Sequence, residues 1–163
     1  MPSKRDKQEQ EAGANRTISR NRKAFHDYHI SDTLEAGLVL QGSEIKSIRA
    51  GSVNLRDSYV AFRDGEAWLV GAHIAGYHEA SYQDHDPRRD RKLLLHKREI
   101  MRLRGQVEQR GYTCVPTRLY LKDNRAKVEI GLAKGKHTYD KREALRERDS
   151  AREVERAIKE SLR

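Results

Sequence analysis

Asp84, His85 and Asp86 are consecutive, with His78 and His96 nearby, and this group offers the oxygen and nitrogen donors a divalent metal would use for phosphodiester cleavage. Their spacing matches no known ligand pattern, so polar residues of a solvated loop are the plainer reading. The chain has no glycine-rich phosphate loop and no Gly-x-Ser-x-Gly elbow, and Cys114 has no activating partner beside it. A second kind of chemistry is non-covalent. Guanidinium and ammonium groups contact phosphates, and planar side chains stack on unpaired bases. Arg88, Arg89, Arg91 and Lys92 form one basic run, and Lys134 to Arg142 forms another. Tyr77, Tyr82, His26, Tyr28 and Tyr139 interleave with these runs. Each tyrosine also has a structural reading, and each charged run a solubility reading.

The balance of charge favours the second chemistry. The 163 residues include 34 Lys plus Arg against 25 Asp plus Glu, a net charge of +9 that attracts polyanions. No stretch has the roughly 18 consecutive apolar residues of a spanning helix, and no signal-peptide core is evident. A single cysteine cannot close an internal disulfide, which suits a reducing, cytoplasmic setting.

These residues need elements to hold them. Residues 1–20 are polar enough to read as a flexible arm, and 21–133 as one folded domain. Phe25 to Ile30 and Leu34 to Leu40 read as a first hairpin turning at Ser31 and Asp32. A short helix is predicted over Glu44 to Arg49, capped by Ser43. Asn54 to Arg63 and Glu66 to Ile74 flank Asp64-Gly65, a strong hairpin signal, with Trp68, Val70, Ala72 and Ile74 facing the core. Gly76 to Lys92 reads as a long basic loop and Leu93 to Arg110 as an amphipathic helix. Tyr112 to Lys122 and Ala126 to Ala133 pair across Asp123-Asn124-Arg125. About six strands, two or three helices and no βαβ alternation predict a mainly β fold, a small OB-like antiparallel barrel. Residues 134–163 read as a basic tail with a thin apolar stripe at Val154, Ile158 and Leu162, helical only when something holds it.

Five ordered blocks then carry a family resemblance. They are Asn21-Arg22-Lys23-Ala24-Phe25-His26-Asp27-Tyr28; Glu35 through Gly51; Asp57-Ser58-Tyr59; Asp86-Pro87 through Arg91-Lys92-Leu93-Leu94-Leu95; and Gly131 through Lys136 with Asp140-Lys141-Arg142. Over residues 21–163 the sequence resembles the SsrA-binding protein family, also called small protein B, the partner of tmRNA. His137-Thr138 depart from that pattern, since a second lysine is common there.

The resemblance implies an OB-like barrel whose C-terminal tail is disordered when free and helical on the ribosome. It implies binding of the tRNA-like domain of tmRNA and, with elongation factor Tu and alanyl-tmRNA, delivery to the A site of stalled ribosomes. This is trans-translation, a non-enzymatic function needing no cofactor and no metal, with one copy per tmRNA. By matching position, Asn21, His26, Tyr28, Glu35, Lys92 and Leu94 would contact tmRNA. Gly135, Lys136, Tyr139, Asp140, Lys141 and Arg142 would meet small-subunit rRNA at the decoding centre. Two other readings remain at this point: a metal-dependent RNA-processing enzyme built on Asp84-His85-Asp86, and a generic ribosomal protein.

Overall fold

A computed structural model of the chain describes residues 15–77, 84–109, 111–136 and 138–161. In chain order the elements are strand β1 (Asn15–Arg20), helix α1 (Arg22–Asp27), β2 (Tyr28–Leu38), α2 (Gly42–Arg49), β3 (Val53–Asn54), β4 (Tyr59–Arg63), β5 (Glu66–Val70), β6 (His73–Ile74), β7 (Arg91–Leu94), α3 (Lys97–Val107), β8 (Tyr112–Lys122), β9 (Arg125–Gly135) and α4 (Thr138–Ser161). Seven strands form one antiparallel sheet in the order β1-β8-β9-β2-β7-β5-β4, while β3 and β6 pair separately. The sheet curls until β4 lies against β8. Among the described residues no ladder joins its end strands β1 and β4, so in place of the expected OB-like barrel stands an open, curled sheet.

The core fills the concave side, where Leu69, Leu93, Leu119, Val128 and Ile130 meet Ile48 of α2 and Leu103 of α3. Two hairpins follow the expected turn chemistry. Asp64 and Gly65 carry positive φ between β4 and β5, and Asp123 and Asn124 do so between β8 and β9. Such two-residue turns match the right-handed twist of the strands they join.

Elsewhere local pattern yields to tertiary context. Residues 15–20, expected within the arm, form β1 and pair with β8; residues 1–14 lie outside the described residues. Phe25 to Asp27 is helical, because the Asn21 side chain accepts the Ala24 amide and starts α1. The expected hairpin at Ser31 and Asp32 is instead an irregularity inside β2, whose partner β9 runs past both halves. Trp68 is only half-buried. Ala67 and Leu69 take the core face of β5, and Gly71, at φ +82°, changes the phase so that Ala72 and Ile74 are buried after it. Arg91 to Leu94, assigned from sequence to a loop and a helix, is β7, wedged between β2 and β5. Helix α3 therefore starts at Lys97, where the Glu99 carboxylate accepts the His96 amide at 3.2 Å. A bulge in β8 between Pro116 and Arg118 separates Val115, which packs with Ala24 and Ala133, from Leu119 and Leu121 in the main core. Helix α4 extends beyond the sheet, with its side chains exposed from Leu145 to Ser161.

Candidate nucleic-acid interface

The fold separates the expected RNA-contacting residues into two places. Glu35 on β2 and Lys92 and Leu94 on the adjacent β7 line one groove, together with Glu66, His96 and Lys97. Pairing sets the phase of β7, so Leu93 enters the core and Leu94 points out, 54% exposed. Gly37, opposite Leu94, leaves room for it: a Cβ there would stand 3.2 Å from Leu94 Cβ. Lys92 Nζ lies 2.9 Å from Glu66 Oε1 across the groove.

Glu35 is held from behind. Its Oε2 accepts the Tyr120 hydroxyl and has Lys122 Nζ 3.6 Å away. The Tyr120 hydrogen bond holds the carboxyl below its usual range; partial burial opposes this, and the charges of Lys122 and Lys127 reinforce it. Glu35 is thus a fixed anion in cationic surroundings. Tyr120 and Lys122 escaped sequence reasoning, although Tyr120 occupies the outward phase of β8 between core-facing Leu119 and Leu121.

The second place is the root of the tail. Tyr28 at the start of β2 pairs with Gly135 at the end of β9, seven residues and on the order of 20 Å from Glu35. The Lys136 amide donates to Asp27 O at 2.9 Å, and its Nζ donates to Phe25 O at 3.1 Å. His26 Nδ1 sits 2.9 Å from Asp27 Oδ1, and Phe25 is half-exposed beside it. Arg148 and Arg152 of α4 face Arg20, Arg22 and Lys23 across a cleft that has Phe25 and His26 in its wall. Asn21 belongs to this end but is 3% exposed. Its Oδ1 accepts the Ala24 amide at 3.2 Å and its Nδ2 donates to Pro116 O at 2.9 Å, so it anchors α1 and has no free edge for a base. Tyr139, Asp140, Lys141 and Arg142 fall within α4, and their side chains lie outside what the structure describes.

The basic run after Asp86 divides by burial. Arg88 is exposed, with its amide on Asp86 Oδ1 at 2.9 Å. Arg89 is partly buried and its guanidinium donates to Glu44 Oε1. Arg91, expected on an RNA-facing loop, is fully buried: Nε donates to Glu44 Oε2 at 2.5 Å, Nη1 to Ala72 O at 2.7 Å and Nη2 to Pro87 O at 3.1 Å. It cannot touch a ligand, and its work is to hold β7 to α2. Burial pushes the Glu44 carboxyl up, but the Gln41 amide and the guanidiniums of Arg89 and Arg91 outweigh it and keep it below the usual range.

The expected metal ligands are engaged in other contacts. His85 is buried, with Nε2 2.8 Å from Ile74 O and Nδ1 2.8 Å from Ser43 Oγ and 3.3 Å from Asp84 Oδ1. Asp84 Oδ1 accepts the His85 amide, and Asp86 Oδ1 accepts that of Arg88. Among the described residues no three His, Cys, Asp or Glu converge to hold a metal; His78 and Tyr82 lie outside them. Cys114 is buried, and burial pushes its thiol up to about 12. No described helix is long and apolar enough to cross a membrane.

A basic curled sheet with a fixed carboxylate and an exposed leucine in a groove at one end, and arginines of the mixed-charge helix α4 facing those around α1 at the other, has the features of a nucleic-acid-binding surface. Comparison with known proteins narrows this. The family described as SmpB protein matches residues 18–160. An SsrA-binding protein of Roseiflexus sp. (strain RS-1) is 60% identical over 149 residues, 91% of this chain and 94% of the relative. One of Shouchella clausii (strain KSM-K16) is 56% identical over 148 residues, 91% of this chain and 95% of the relative. A solved structure described as "tmRNA-SmpB: a journey to the center of the bacterial ribosome" is 50% identical and superposes with a TM-score of 0.64, over 78% of this chain and 94% of that one. The chain belongs to the SmpB family.

Proposed function

We propose that this chain binds tmRNA and brings it to stalled ribosomes in trans-translation. Family membership over residues 18–160 is the observation that carries this reading. The curled sheet is read as OB-like, the groove around Glu35 and Leu94 as the seat of the tRNA-like domain, and the root of the tail as the ribosome-facing end. In the groove, Leu94 packs against an unstacked base, Lys92 meets a phosphate and Glu35 accepts from a base edge. At the other end, His26 and Tyr28 stack on unpaired tmRNA bases, and Lys136 and the cations of α4 contact rRNA phosphates near the decoding centre. Asn21 serves this end through α1, which it caps. Arg88 and Arg89 add sequence-independent attraction.

Elongation factor Tu with alanyl-tmRNA is the expected companion in delivery, with one copy of this chain per tmRNA and the cytoplasm as the setting. The exposed side chains of α4 leave it without tertiary support along much of its length, so contact with RNA walls in an mRNA-free channel supplies the missing order. A message already in the channel would exclude it.

The test is a mobility-shift titration of the whole chain with the tRNA-like domain of tmRNA, against an excess of ordinary tRNA at physiological salt. Retention of the tmRNA complex is expected. Equal competition by tRNA would leave a generic RNA-binding protein in place of this reading.

A further inference from the structure

Glu35 poses a physical problem that its neighbours answer. A carboxylate at an RNA surface repels phosphates, and it helps recognition only if it is ionised and aimed at a donor. Both contacts that fix it fall on Oε2, so Oε1 is not engaged by either, and Glu35 lines the groove together with Leu94 and Lys92. The Tyr120 hydroxyl reaches Oε2 from β8, two strands away from β2 in the sheet. The Tyr120 ring is buried, 4% exposed, with the Arg118 guanidinium stacked over it at 4.5 Å. Arg118 is held in turn by Glu129, whose Oε2 lies 3.4 Å from its Nε and accepts the Thr117 hydroxyl at 2.6 Å. A buried, clamped phenol thus directs a half-exposed carboxylate.

We infer that Tyr120 is a positioning residue for RNA recognition: its hydroxyl fixes Glu35 in one orientation, with Oε1 presented to the N–H donors of an unpaired base seated beside Leu94. The inference rests on the groove being the tmRNA seat. A guanine edge, with two adjacent donors, suits a preset acceptor. Lys122 assists by charge from a half-exposed position. Titratable and charged groups around Glu35 are Tyr120 and Lys122 from β8, Lys127 and the paired Glu129 from β9, Lys92 from β7, and Glu66, His96, Lys97 and Glu99 across the groove.

Tyr120→Phe removes the hydroxyl and keeps the ring under Arg118. In the full chain, affinity for the tRNA-like domain of tmRNA should fall roughly tenfold, by loss of one charge-assisted hydrogen bond. NMR titration should show the Glu35 carboxyl moving up toward its ordinary 4.5. In Glu35→Gln, which should itself bind at least tenfold more weakly, adding Tyr120→Phe should change little, because the two residues act as one unit. If Tyr120→Phe binds within twofold of the parent while Glu35→Gln is weakened, the inference is overturned and the groove reading stands. If Glu35→Gln binds normally, the groove reading fails and takes the inference with it. A loss in Tyr120→Phe matched on an unrelated RNA duplex marks a general structural defect and also overturns the inference.

Discussion

Arg91 and Glu44 are an ion pair with both side chains fully removed from solvent, and each charge depends on the other. Replacing Arg91 leaves the buried Glu44 carboxylate with only the Gln41 amide and the partly buried Arg89, and breaking such a pair typically costs about 3–5 kcal/mol. Arg91→Leu should therefore destabilise the fold by about that amount in urea titration at pH 7. Glu44 has a lowered carboxyl pKa when folded, so its contribution is fully present above the ordinary value of 4.5 and is lost as pH falls through the folded value. Urea titrations of the parent from pH 7 toward pH 3 should show stability declining below about 4.5, and Glu44→Gln should flatten that decline. Nothing in the local sequence distinguished Arg91 from Arg88. Both stand in one charged run, and only the pairing of β7 between β2 and β5 sends the first inward.

The elements that sequence pattern identified well were those governed by local chemistry: the Asp64-Gly65 turn, the β8–β9 hairpin, and the apolar face of α3 at Ile100 and Leu103. Those it missed were set by distant partners. Tyr28 to Leu38 is one strand because β9 offers an unbroken edge, and Leu93 to Leu95 is an apolar run too short to reveal its period. Helix α1 is the instructive case, since its aromatic residues suggest a strand and one cap residue overrides them. Asn21→Ala should lose both the Ala24 and Pro116 contacts and cost about 1–3 kcal/mol. Hydrogen exchange should show α1 losing protection while β5 and β7 keep theirs. For the candidate site, Glu35 and Leu94 were legible only through the resemblance, whereas Lys92 also stood out as the end of a basic run. Their convergence in one groove, and its distance from Tyr28, needed the sheet order.

Across the whole molecule, the proposed RNA seat and the tail root lie toward opposite ends of β2, so the two functions should separate. Ending the chain after Lys136 keeps its bonds to Asp27 and Phe25. That truncation should hold the tRNA-like domain of tmRNA within about twofold of the full chain, about 0.4 kcal/mol, while abolishing peptide tagging in a reconstituted translation assay. Lost tmRNA binding would refute the separation. Cys114 has a further consequence. It is the only cysteine, sits on the β8–β9 hairpin and is kept protonated by burial, so a thiol-alkylating reagent reaches it only when β8 parts from the core. The rate of its labelling is then a built-in clock for opening of the sheet, readable by mass without adding a probe.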